Sequence, residues 1–316
     1  MKISIAGAGA FGSAIASVFA KGGHSTKLFS PTNFKELCAT RVPRKLGNIK
    51  LPAEIDIVNS LEKTEKNEYL FLAVPTQNLA SFCKENKSFL NDRPLIACCK
   101  GVDQATGLRP SEILSEHSSK VAVMSGPSFA VDISKGMPTA LVLASAEPGF
   151  LRKLQSDISM QNFRLYRTSD VVGVELGGAL KNIIAIACGI AIGAKQGDSA
   201  RAALMTRGFS EMIDFAKAHG AKEKTLTGLS GLGDLSLTCN SEKSRNFVFG
   251  VSLGCQKPFN KNTTVEGVAT AFAVSQKARS LGLEMPITSS VSALVEGSAS
   301  IEEVINSLLS RPTKEE

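Results

Sequence analysis

The chain has 316 residues, 43% of them hydrophobic and 21% charged, with a formal net charge of +7. That is room for two domains with a sizeable core and excludes a disordered chain, apart from the polar stretch 312–316. Seven irregularly spaced cysteines without a Cys-x-x-Cys pair, and three scattered histidines (His24, His117, His219), exclude a disulfide framework and a metal site; the modest positive charge, without Trp or dense Lys/Arg runs, favours small anions over nucleic acid.

From Met1 the chain runs straight into a strand pattern at residues 3–6, without the basic segment, apolar stretch and cleavage site of a secretory leader. A cytoplasmic protein with reduced thiols is the expectation. Gly7-Ala8-Gly9-Ala10-Phe11-Gly12 follows, matching G-x-G-x-x-G, and then a helix over 11–21 stopped by Gly22-Gly23. Alone the motif is weak, because glycine-rich turns are common and a structural strand-turn-helix corner is the alternative. Between a strand and a helix it reads as a dinucleotide cradle: Gly7 turns the chain, Gly9 admits a pyrophosphate, and Gly12 lets the helix pack on the sheet. The helix N-terminus adds free N–H groups and partial positive charge.

A second strand over 25–29 ends at Phe29-Ser30-Pro31-Thr32-Asn33. An NAD-selective site usually places a carboxylate there, against the ribose. None is present, and no Arg either, Lys35 being the nearest cation, so NADPH or dual use of NADPH and NADH is expected.

Further apolar runs at 69–74, 95–99, 121–125 and 139–144 are continuous rather than alternating, the signature of strands buried on both faces of a parallel sheet. Alternation puts Cys98 and Cys99 on opposite strand faces. Strands alternating with helices make residues 1–168 a Rossmann-type, doubly wound α/β domain. Lys100 and Ser125-Gly126-Pro127-Ser128 end two of these runs, where open α/β sheets bind ligands. On position alone Lys100 is equally a solvated strand-end lysine.

Beyond 163–166 the pattern becomes helices broken at Gly193, Gly220, 228–233 and Gly282, so residues 169–316 are expected to form an all-helical domain. Lys181 and Asn182 interrupt an apolar helix whose uncharged run, 183–194, spans 12 residues. That is short of the roughly 20 a membrane span needs, so a buried helix and no membrane insertion are expected. A desolvated lysine is costly unless paired, and its lowered pKa suits acid–base work. The alternative is a lysine snorkelling at the helix surface. Asp234 is a candidate partner, and Arg245, in Ser244-Arg245-Asn246, a candidate phosphate clamp; either residue type is also common in turns and solvated faces.

These segments, together with Ala73-Val74-Pro75, Thr206-Arg207-Gly208, Gly231-Leu232-Gly233-Asp234, Val265-Glu266-Gly267 and Met285-Pro286-Ile287, resemble in order and separation the bacterial NAD(P)-dependent glycerol-3-phosphate dehydrogenases over nearly the whole chain. The resemblance implies that Lys181 is the proton donor and acceptor for dihydroxyacetone phosphate and sn-glycerol 3-phosphate. It implies that Lys100, Gly126, Ser128, Lys181, Asp234, Ser244, Arg245 and Asn246 hold this small phosphorylated substrate. Gly7, Gly9, Ala10, Phe11, Gly12, Lys100, Ala130, Arg245, Thr264 and Glu266 line the cofactor by the same likeness. A homodimer, a role in phospholipid synthesis and feedback inhibition by glycerol phosphate are further implications. The chain departs from the family at Pro31 (commonly basic or His), Thr264 (often Val) and Ser128 (commonly Thr).

Overall fold

The structure, a computed structural model, describes residues 1–65, 68–260 and 263–309; the expected disorder at 312–316 lies outside these. The chain divides into two compact units, residues 1–100 with 109–174, and residues 101–108 with 175–316.

The first unit begins with β1 (Lys2–Ala6), α1 (Ala10–Lys21), β2 (Ser25–Phe29), α2 (Phe34–Thr40), β3 (Ile55–Val58) and β4 (Tyr69–Leu72). It continues through α3 (Leu79–Glu85), α4 (Lys87–Leu90), β5 (Leu95–Ala97), α5 (Pro110–Ser115), β6 (Val121–Ser125), α6 (Ala130–Ser134), β7 (Thr139–Ala144), α7 (Pro148–Ile158) and β8 (Phe163–Thr168). The eight strands form one sheet in the order β3-β2-β1-β4-β5-β6-β7-β8. β1 pairs in parallel with β2 and with β4, so strand order reverses at β1 and a crevice opens at the carboxyl ends of β1 and β4. Ile3, Ile5, Phe19, Leu28, Phe71 and Ile96 are fully buried in its core, each contributing about 1.5–3 kcal/mol.

The expectation of a wholly parallel sheet needs correction: β7 runs antiparallel to β6, with Met124 opposite Leu143, and β8 then pairs in parallel with β7. An antiparallel strand buried on both faces leaves the same apolar run as a parallel one, so burial pattern does not reveal direction. Residues 163–166, read as a change of character, are part of β8, an edge strand whose Arg164, Tyr166 and Arg167 face solvent. The strand read over 95–99 ends at Ala97, leaving Cys98 and Cys99 beyond it.

The second unit is helical: α8 (Val171–Gly193, its first four residues in the first unit), α9 (Gly197–Ala218), α10 (Glu223–Leu226), α11 (Asp234–Cys239), α12 (Arg245–Gly254), α13 (Glu266–Ser280), α14 (Pro286–Val295) and α15 (Ile301–Leu309). No strand occurs among its described residues. α8 is long and apolar enough to cross a membrane, but 94% of its apolar stretch is buried inside the protein, which makes it a core helix. Val102 packs with Ala179 of α8 and Ala273 of α13, tying residues 101–108 to this unit.

Small residues let α12 lie directly on α8. A Cβ on Gly189 or Gly193 of α8 would overlap the carbonyl oxygen of Phe247 or Val251, and one on Gly250 or Gly254 of α12 that of Ile186 or Ile190. Each helix thus presents a G-x-x-x-G face to the other, the device by which backbones pack at closest approach. Gly193, expected in a turn, is the last residue of α8 and serves this contact. Buried Glu211 of α9 accepts the N–H groups of Ile287 (2.7 Å) and Thr288 (3.1 Å), anchoring the start of α14.

Candidate functional site

In the first unit, Gly7 stands at the reversal point. Its φ of +111° is open to glycine, and a Cβ there would lie 2.7 Å from the Ala73 carbonyl oxygen beyond β4. Gly12 sits so close to Gly7 that a Cβ would overlap the Gly7 carbonyl. Gly9 differs: a Cβ there meets no protein atom within 4 Å, so its bare backbone at the start of α1 faces open space. The three glycines therefore divide into one turn, one packing contact and one open approach, which fits a pyrophosphate cradle. Half-buried Ala10, Phe11 and Ala130 pack against the core beside it.

Lys100 follows β5 and donates from Nζ to the Gly126 carbonyl at 2.9 Å, while the Ser128 hydroxyl donates to the same oxygen at 3.3 Å. Gly126 (φ +140°) leaves β6 with Leu141 packed against it, a Cβ there lying 3.1 Å from Leu141 Cδ2. Lys100, Gly126 and Ser128 thus form one polar cluster at the carboxyl ends of β5 and β6.

In the second unit, Lys181 is 7% exposed and Asp234 1%. Lys181 Nζ donates to Asp234 Oδ1 at 2.6 Å and to Thr238 Oγ1 at 2.7 Å, and the Thr238 hydroxyl donates to the Asp234 carbonyl oxygen at 2.6 Å. Lys181 is therefore buried and paired, not snorkelling. A π-helical turn over Leu229–Gly233 delivers Asp234 to the first position of α11, one helical turn before Thr238 on the same face. Removing either member of such a buried pair typically costs about 3–5 kcal/mol, since the remaining charge stays desolvated.

A second network lies further along α8. Asn246 Nδ2 donates to Asn182 Oδ1 at 2.9 Å, and Asn246 Oδ1 accepts the Gly267 N–H at 3.0 Å. Asn246 thus bridges α8 to the first turn of α13, which begins at Glu266. Ser244 is the N-cap of α12, its hydroxyl accepting from the Phe247 N–H at 3.2 Å, and Arg245 is exposed on the first turn. Half-buried Thr264 lies just ahead of α13.

Two residues escaped the sequence reading. Thr238 had a signal, its spacing of four from Asp234 on a helix. Arg44 had none: it stands 15 residues past β2, yet forms an ion pair with Glu36 beside the segment where only Lys35 was counted.

Comparison with known proteins bears on both units. Residues 2–150 match the family model of the NAD-dependent glycerol-3-phosphate dehydrogenase N-terminus, and residues 170–306 that of its C-terminus. Glycerol-3-phosphate dehydrogenases [NAD(P)+] of Roseobacter denitrificans and Paracoccus denitrificans are 49% and 48% identical to the chain, each alignment covering 100% of both sequences. The crystal structure of glycerol-3-phosphate dehydrogenase from Coxiella burnetii superposes with a TM-score of 0.92 at 34% identity, over 98% of this chain and 99% of that one. On these matches the chain belongs to the NAD-dependent glycerol-3-phosphate dehydrogenase family.

Proposed function

We propose that the protein reduces dihydroxyacetone phosphate to sn-glycerol 3-phosphate, reversibly, with NADPH or NADH. The observation that carries this reading is the buried Lys181, held by Asp234 and Thr238. When bound, the nicotinamide supplies the hydride that adds to C2 of the ketone. Negative charge then develops on the carbonyl oxygen. Lys181 stabilises that charge and transfers a proton to it, and takes the proton back in the oxidative direction. Asp234 and Thr238 hold Nζ in one direction while it acts, so little reorganisation accompanies the proton transfer.

The phosphate is assigned to Arg245, with Lys100, Gly126, Ser128, Ser244 and Asn246 as further binding groups. Its binding energy, remote from the reacting carbon, orients the ketone. Gly7, Gly9, Ala10, Phe11, Gly12, Lys100, Ala130, Arg245, Thr264 and Glu266 are assigned to the cofactor. Residues 1–168 serve as the dinucleotide-binding part and residues 169–316 as the substrate and catalytic part. Family membership supports action as a cytoplasmic homodimer that feeds glycerophospholipid synthesis.

The test is the absorbance of NADPH or NADH with purified protein, dihydroxyacetone phosphate being added last. Substrate-dependent decay is expected. No decay with either cofactor, in a folded protein that binds them, overturns the reading, and turnover of 2-hydroxy acids instead would reassign the substrate.

A further inference from the structure

At the carboxyl end of β2 lies a recess of about 450 Å³, lined by the turn 31–36, by Arg44 and by Asn59, the residue after β3. In a Rossmann-type sheet this is where a carboxylate takes the ribose hydroxyls of NAD and repels a 2′-phosphate. Here β2 is followed by Ser30, Pro31, Thr32 and Asn33, which carry no charge. Among the described residues lining the recess, Glu36 is the one carboxylate, and Arg44 already neutralises it.

Cations outnumber that carboxylate. Lys35 and Arg44 line the recess. Lys63 stands on its rim, donating to Asn59 Oδ1 at 3.2 Å, with its Nζ 6.0 Å from the ring centroid of Phe34. The Arg44–Glu36 pair is solvent-exposed, the side chains keeping 63% and 42% of their accessible surface. Exposed pairs of this kind hold their partners weakly, whereas a guanidinium binds a phosphate dianion through two parallel hydrogen bonds.

We propose that this recess receives the 2′-phosphate of NADPH, and that Arg44 is the specificity-determining residue, exchanging Glu36 for the phosphate. Lys35 and Lys63 add attraction, and Thr32 and Asn33 are neutral donors. The cofactor preference follows: NADPH binds more tightly than NADH. The proposal rests on the nicotinamide-dependent reading above and deepens it.

The chain has no Trp, so fluorescence of the reduced nicotinamide reports binding against a low background. Titration of the full-length protein with NADPH and with NADH gives two dissociation constants, the former expected to be lower by roughly tenfold or more. Arg44→Ala is expected to weaken NADPH by about ten- to a hundredfold while changing NADH by less than about threefold. Glu36→Gln releases Arg44 and is expected to widen the NADPH-to-NADH ratio. Competition with 2′,5′-ADP, which carries the phosphate without the nicotinamide, should weaken in parallel with NADPH in the Arg44 variant. Equal affinity of the unaltered protein for both cofactors, or an equal loss of both in Arg44→Ala, overturns the proposal and leaves the oxidoreductase reading standing. Failure of both dinucleotides to bind at all overturns both readings.

Discussion

Lys181 Nζ lies 2.6 Å from Asp234 Oδ1, joining residues 53 positions apart into a buried pair. A charged amine in such a place is costly to bury and has no structural purpose that an apolar residue would not meet at least as well. Lys181→Ala is therefore expected to lower kcat by about 10²–10⁴-fold while leaving the dissociation constant of NADPH nearly unchanged. Near-normal turnover in the variant would falsify the acid–base assignment.

Thr238 separates positioning from chemistry. Thr238→Val keeps the shape of the residue but removes the acceptor at 2.7 Å from Lys181 Nζ. We expect kcat to fall by about tenfold with a displaced pH–rate profile, since the lysine loses one fixed hydrogen bond of roughly 1.5–3 kcal/mol. An unmoved profile with reduced stability alone would make Thr238 a packing residue.

Arg245 begins α12 on an exposed first turn, where a guanidinium can meet a phosphate bidentately. Arg245→Ala should raise the KM for dihydroxyacetone phosphate by about ten- to a hundredfold. Steady-state kinetics at saturating cofactor decide the matter, and an unchanged KM counts against the clamp.

The α8–α12 contact is sensitive to a single methyl group. Gly250→Ala places a Cβ on the Ile186 carbonyl, backbone that is hard to displace, and should destabilise by about 1–3 kcal/mol or more. Gly149→Ala in α7 is the control: its Cβ meets nothing within 4 Å, so stability should stay level or rise by up to about 1 kcal/mol. Denaturant midpoints of the two variants should move apart, and equal midpoints would remove the argument from close backbone packing.

The seven cysteines are free and differ sharply in environment. Burial pushes the Cys83 thiol up to about 12 and those of Cys98 and Cys239 well above the usual thiol range, so they stay protonated and shielded at pH 8. Cys38 and Cys255 are exposed. A colorimetric thiol reagent at pH 8 should find two fast equivalents, a slower third from half-buried Cys99, and the remainder on unfolding. Because the shifts are upward, raising the pH to 9 should not add fast equivalents while the fold holds.

Family membership and fold class were legible from one dimension because they rest on local pattern. Strands buried on both faces must be apolar along their length, which gave β4, β5, β6 and β7 away. A cradle must combine a tight turn, an open approach and a close packing contact within six residues, as Gly7, Gly9 and Gly12 do. A lysine inside an apolar helix stands out for its desolvation cost. β3 escaped because its four residues include the exposed Asp56, and β8 because an edge strand alternates and carries arginines outward.

What only the tertiary structure decided is pairing. The direction of β7, the choice of Asp234 and Thr238 as partners of Lys181, the bridge from Asn182 through Asn246 to Gly267, and the meeting of Arg44 with Glu36 all depend on how elements are brought side by side. Periodicity records which face of an element is buried and says nothing of what covers it. The covering surface is set by packing, here by bare glycine backbones that let α8 and α12 touch, and across that contact residues 64 positions apart in the chain, Asn182 and Asn246, are neighbours.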